Sequence, residues 1–136
     1  MPCHQKRMKK ISTRGLRRKA WTIFSKYIRR KYSDHVGYCY CVTCGKHQKW
    51  QQMDAGHAIG GRRNSVLFQE DLVRPQCRYC NRYQGGKPLE FREALIREYG
   101  EKRFEYLRAL AKRPKFYTRE QYQGLIFFYG KKVVLT

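Results

Sequence analysis

Cys41-Val42-Thr43-Cys44-Gly45, Asp54-Ala55-Gly56-His57 and Cys77-Arg78-Tyr79-Cys80-Asn81 are the three stretches that decide how this chain is read. Two cysteines three positions apart on a tight turn can both reach one ion. Two such pairs supply four thiolates for the tetrahedral geometry that zinc accepts, and Gly45 lets the first knuckle fold beneath the metal. Between Cys44 and Cys77 lie 32 residues, so closing the site ties the start of a hairpin to the start of the helix after it and couples folding to the ion. Four protein ligands leave no open position, so the expected zinc, one per chain, is structural. A redox C-x-x-C is the alternative, and two matched pairs argue against it. Cys39, separated from Cys41 by a single residue, is awkwardly spaced for the same ion and reads as a spare thiol, while Cys3-His4 has no evident partners.

The staple brings Asp54 and His57 close to Asn81, which directly follows the last cysteine. A carboxylate and an amide oxygen are hard ligands suited to Mg²⁺ or Mn²⁺, and a neutral imidazole can take a proton near pH 7. With a basic cleft, these parts suffice for phosphodiester hydrolysis. His57 would deprotonate a water for in-line attack, and the metal would stabilise charge on the phosphorus oxygens and the departing sugar oxygen. The expected ends are 5′-phosphate and 3′-hydroxyl. A single His on a strand is more often structural than catalytic; Asp54, Gly56 and C-x-x-C-N tip the balance here. Arg62, Arg63, Arg74, Arg78 and Arg82 are expected, as a set, to hold flanking phosphates. His35 and His47 read as surface residues, His47 being an outside candidate near the knuckle.

Composition supports a polyanionic partner. The chain has 136 residues, with 31 Lys and Arg against 10 Asp and Glu, a net charge of +21. Such a field concentrates nucleic acid around the protein. The first 31 residues hold twelve Lys or Arg and no acid. Apolar runs fall far short of the roughly 18–20 residues of a membrane span, and MPCHQKRMKK has no apolar stretch behind its charges. The expectation is an intracellular protein with no membrane contact and no small-molecule cofactor.

Residues 1–15 read as a flexible basic arm and 16–136 as a single domain. Leu16, Ala20, Ile23, Phe24, Tyr27 and Ile28 predict an amphipathic helix over 16–32. Its Arg18, Lys26, Arg29 and Arg30 lie largely off the apolar stripe and face the backbone of DNA. The core, 38–86, opens at the first knuckle, with short strands around Lys49–Asp54 and Val66–Gln69. A helical extension fills 88–131. Pro88 starts one helix, which Gly100 ends; Glu101 begins the next, which Pro114 ends; Thr118-Arg119-Glu120-Gln121 caps the last. Tyr27, Tyr99, Tyr122 and Tyr129, at helical spacing, read as core.

C-x-x-C, D-x-G-H and C-x-x-C-N in that order resemble the zinc-stapled HNH nucleases, the phage endonuclease VII type among them. CVTCG, DAGH, RPQCRYCNRYQGG and LEFREALIREYG, with the helix before the first knuckle, look closer still to the lambdoid phage NinG/Rap recombination family. That likeness covers roughly Leu16 to Tyr129. It implies an α+β fold with a ββα-metal core, one four-cysteine zinc, an N-terminal basic helix and C-terminal helices. It also implies a structure-specific endonuclease on branched intermediates such as Holliday junctions and D-loops, in the host cytoplasm if phage-encoded. By that matching His57 is the base, Asn81 a metal ligand, and Cys41, Cys44, Cys77 and Cys80 the zinc ligands.

Two departures stand out. Gly56 occupies the position before the base where many HNH enzymes carry a ligand, and Asp54 is the nearest replacement. The central Asn is missing from Glu70-Asp71-Leu72-Val73, leaving Asp71, Asn64 or a backbone carbonyl to orient the base. Cutting a junction requires two incisions, which favours a homodimer. The rival readings are a non-catalytic zinc module that only binds DNA, and a nicking or homing-type nuclease without branch preference.

Overall fold

In the computed structural model, which describes residues 9–135, the first element is helix α1, Thr13–Lys31. The Ser12 hydroxyl accepts from the Gly15 N–H at 3.0 Å, satisfying a donor that the helix start leaves open. This cap shortens the expected arm: residues 13–15 are helical, and residues 1–8, with Cys3, lie outside the described residues. Leu16, Ala20, Phe24, Tyr27 and Ile28 are buried, as their spacing predicts.

Two small antiparallel sheets follow. Strands β1 (Tyr38–Tyr40) and β2 (His47–Lys49) form a hairpin whose turn carries Cys41 and Cys44. In that turn the Cys41 N–H donates to the Lys46 carbonyl and the Gly45 N–H to the Cys41 carbonyl. Gly45 has φ +77°, which suits a residue without Cβ. Strand β3 (Met53–His57) pairs with β4 (Val73–Cys77) in a register running from Met53↔Cys77 to His57↔Val73. The Val42 N–H reaches the Pro75 carbonyl at 3.0 Å and joins the two sheets.

Both expected strands need correcting. The first is interrupted by a 3₁₀ turn at Trp50–Gln52, with β2 and β3 on either side. The second, Val66–Gln69, is not a strand. Asn64–Leu67 forms a single helical turn, α2, in which the Leu67 N–H donates to the Arg63 carbonyl at 2.9 Å. Val66, Leu67 and Phe68 are all buried, and a short continuous apolar run fits a buried helical turn as well as a strand. The true partner of β3 is the fully buried β4.

Helices α3 (Pro88–Tyr99) and α4 (Glu101–Ala111) meet at Gly100, whose φ of +93° turns the chain between them. Helix α5, Arg119–Leu135, runs past the expected end at 131. Its capping box is reciprocal: the Thr118 N–H donates to Gln121 Oε1 at 2.8 Å and the Gln121 N–H to Thr118 Oγ1 at 3.2 Å. Helices α1 and α5 close over Ala55 and Val73 to form one core. Helices α3 and α4 gather Ala58, Val66 and Leu72 into a second. A third surrounds the cysteines with Met53 and Trp50. No helix among the described residues is long and apolar enough to cross a membrane.

Strand alternation puts Asp54 and Gly56 on one face of β3 and Met53, Ala55 and His57 on the other. A Cβ on Gly56 would overlap the Gln76 amide oxygen and come within 2.9 Å of Gln76 Cβ. Gln76 is fully buried and fixed, its Nε2 donating to Thr43 Oγ1 and to the Gly86 carbonyl. Gly56→Ala is therefore expected to cost about 1–3 kcal/mol of stability through overpacking. In a Gln76→Ala background, which removes the amide overlap and leaves the Cβ contact, it should cost less, as a double-mutant cycle of denaturant midpoints would measure.

Candidate metal centre and nucleic-acid interface

The β1–β2 turn and the end of β4 deliver Cys41, Cys44, Cys77 and Cys80 to one place, their sulfur atoms all within 4.8 Å of one another. Cys44 and Cys77 are 3.8 Å apart, and the Cys80 N–H points at the Cys77 sulfur at 3.4 Å. Burial raises the Cys77 thiol pKa strongly. At Cys41 burial acts the same way, but hydrogen bonds from Thr43 and from the N–H groups of Cys77 and Cys44 outweigh it and bring that thiol down. One thiolate thus forms readily and opposes the next, and a cation is what lets all four ionise together. These cysteines are positioned to hold a metal ion. Cys39 stands outside the group, buried, its thiol pushed up by desolvation.

Directly after Cys80, a π-helical turn (Tyr79–Tyr83) carries Asn81 and Arg82 toward β3. Asn81 Nδ2 donates to Asp54 Oδ2 at 3.0 Å. Arg82 grips both carboxylate oxygens of Asp54 at 2.9 Å, and Arg78 lies 3.9 Å away. Burial alone would raise the Asp54 carboxyl, but the bonds from Arg82 and Asn81 win and hold it below the usual carboxylate range. The pair sits in a hollow of about 340 Å³ lined also by Trp21, Ser25, Arg29, Met53 and Arg62. A larger hollow of about 590 Å³, around Asp34 and Trp50, contains neither Asp54 nor Asn81.

His57 does not join that pair directly. It lies three residues along β3 from Asp54, about 10 Å of extended chain, and on the other face. Its Nε2 is 3.3 Å from the Leu67 carbonyl, and its ring stacks on Trp21 with centroids 5.0 Å apart. Trp21 is the link, since it also lines the hollow. Of the three groups that could brace this histidine, the backbone carbonyl does so: Asp71 accepts from Arg103 and Asn64 from Arg17. Burial lowers the His57 pKa; the Leu67 bond opposes that and the nearby Arg62 charge adds to it.

Among the expected phosphate holders, Arg62, Arg63, Arg78 and Arg82 are exposed, but Arg74 must be withdrawn. It is 4% exposed, and its guanidinium is taken by Glu98 at 2.9 Å and by the Glu70 and Val73 carbonyls. A charge on the inward face of a buried strand is held by its partners and cannot reach DNA. On α1, Arg18 is exposed, whereas Lys26, Arg29 and Arg30 gather over the Trp50 ring at 5.2–5.9 Å. His47 stacks on Tyr40 at the hairpin surface. Sequence reasoning missed Trp21, which adjoins the apolar stripe of α1 and has no spacing signal of its own. It also missed a groove of about 430 Å³ lined by Arg17, Arg63, Lys112, Arg113, Lys115 and the exposed Phe116, for which the Lys112–Lys115 charge run was the available signal.

Fold and site together define a small, strongly basic α+β protein organised around four cysteines positioned to hold a metal ion. The family described as Bacteriophage Lambda NinG protein matches residues 3–135, and the chain belongs to that family. No curated protein and no solved structure gives a significant match.

Elemental analysis of the purified protein is expected to return one tightly held ion at the cysteines. Cys80→Ser should lose it together with cooperative unfolding, because the free energy of a four-ligand structural site is folding free energy. At His57 the fold favours the neutral ring, so its contribution to stability is complete above the ordinary pKa of 6.5 and is lost as pH falls from 6.5 through the lower folded value. An NMR titration of the His57 ring should accordingly have its midpoint below 6.5.

Proposed function

We propose that the chain is a metal-dependent endodeoxyribonuclease of the HNH type, hydrolysing phosphodiesters in branched DNA such as Holliday junctions and D-loops. One observation carries the reading: Asp54 and Asn81, 27 positions apart in the chain, meet at 3.0 Å in an arginine-lined hollow. A β3–β4 pair followed at once by a helical turn bearing Asn81 is the local order that a ββα-metal core requires. The branch preference comes from family resemblance. The cysteines suit a structural zinc, because Zn–S bonds of about 2.3 Å set tetrahedral sulfurs about 3.8 Å apart, matching the 3.8 Å between Cys44 and Cys77.

For the catalytic ion the donor chemistry fits with one condition. Asp54 and the Asn81 amide oxygen are of the type Mg²⁺ or Mn²⁺ takes, yet this carboxylate shares its hollow with Arg29, Arg62, Arg78 and Arg82. Asp54 and Asn81 would hold such an ion together with substrate phosphates, since one carboxylate alone would not fill its shell. When bound it supplies charge to the oxygens on which charge develops. Gln76 closes the Gly56 position to any ligand side chain, and Asp54, two residues back, shares that face of β3.

His57 takes the proton of the attacking water. Its Nε2–H is directed to the Leu67 carbonyl, which leaves Nδ1 as the basic nitrogen, and Trp21 fixes the ring plane. Arg62, Arg78 and Arg82 neutralise phosphates, Arg82 exchanging Asp54 for the backbone as DNA arrives. A homodimer would supply two incisions, with exposed Phe127, Phe128, Val134 and Leu135 of α5 as its apolar surface; light scattering of the free and DNA-bound protein tests this.

The deciding assay is incision of a labelled four-way junction beside a linear duplex, with Mg²⁺ or Mn²⁺ at matched salt. The junction should be cut faster, and His57→Ala should lower the rate at least about 100-fold. No cutting, or cutting indifferent to His57, overturns the nuclease in favour of a DNA-binding module. Equal rates on both substrates overturn the branch preference alone.

A further inference from the structure

Tyr79 and Tyr83 are one turn apart on the same π-helical turn that carries Asn81. Both are exposed, 59% and 76%, although a Tyr ring is a large apolar surface. Their centroids lie 6.4 Å apart with planes within 29° of parallel. Tyr79 is tethered, its hydroxyl accepting from Gln84 Nε2 at 2.9 Å. Arg78 and Arg82, each immediately before one of these tyrosines, lie against Asp54 at the hollow. The turn therefore joins a guanidinium pair at the candidate site to an aromatic pair facing outward.

We propose that Tyr79 and Tyr83 form a stacking platform for unpaired DNA bases, seating the single-stranded or splayed nucleotides of a branch point next to the Asp54–Asn81 pair. Bases stacked in duplex have no free face to offer, whereas an unpaired base of any sequence can lie on an aromatic ring while adjacent cations hold its phosphate. The platform thus gives the protein a way to distinguish branched from linear DNA without reading sequence. A purely apolar protein partner fits less well, because an arginine immediately precedes each ring. The proposal rests on the nuclease reading for its purpose, but not for its detection, since binding needs no turnover.

The test is equilibrium binding of the metal-loaded full chain, without added Mg²⁺ or Mn²⁺, to a 2-aminopurine-labelled single-stranded oligonucleotide, a forked duplex and a blunt duplex. Wild type should quench the unpaired 2-aminopurine and favour the first two ligands. Tyr79→Ala and Tyr83→Ala should each weaken those by roughly 5- to 150-fold and leave blunt-duplex binding unchanged, with Tyr→Phe variants retaining wild-type affinity. Equal weakening on all three DNAs, no weakening, or failure of the Phe variants to bind unpaired DNA overturns the platform, as does an acidic peptide competing better than single-stranded DNA. Tyr83→Ala, at the more exposed position, keeps the question open to measurement if Tyr79→Ala fails to fold. Junction cleavage that fails while this binding pattern holds removes the nuclease and leaves the platform.

Discussion

Four cysteine sulfurs within 4.8 Å of one another are the constraint on which the remainder of the molecule depends. As thiolates they repel unless a cation lies among them, and they join the β1–β2 turn to the end of β4 alongside the Val42–Pro75 and Gln76–Thr43 hydrogen bonds. Each sheet has only two strands, a unit that is marginal in isolation, and the apolar residues are divided among three clusters. With a net charge of +21 opposing compaction, a central tie between these pieces compensates for the lack of one large core.

The same tie sets the candidate site. Cys80 fixes the start of the π-helical turn, so Asn81 and Arg82 reach Asp54 across the end of the β3–β4 pair. An acid in so basic a protein stays ionised through the bonds it accepts, and its charge also offsets the crowding of Arg29, Arg78 and Arg82. The other half of the site is arranged by α1. Trp21 packs on His57, and Arg62 in turn lies over the Trp21 ring at 4.9 Å, so the basic helix supports the histidine as well as adding charge.

Features written in residue identity at fixed spacing could be read from the sequence. The two C-x-x-C pairs, the Thr118–Gln121 capping box, Pro88 and Gly100 all act through local geometry, and all do what their spacing implies. Strand β4 could not be read, because Arg74, Pro75 and Gln76 carry none of the alternation or β-branched character that marks a strand. Arg74 illustrates the difficulty: its burial depends on Glu98, 24 residues away on α3, and nothing near it in the chain announces that partner. The brace on His57 is a backbone carbonyl, which has no side-chain signature at all. Val66–Gln69 was misread because three consecutive apolar residues state that a segment is buried and are silent on its period.

Of the four clustered cysteines, Cys44 alone is exposed, while Cys41, Cys77 and Cys80 lie beneath the surface. A competing chelator or a peroxide must start at the one thiolate it can meet. The durability of an ion held there would therefore be governed from a single corner of the hairpin turn: a bulkier neighbour than Gly45 would slow the disassembly of a fold whose other three anchors are already out of reach.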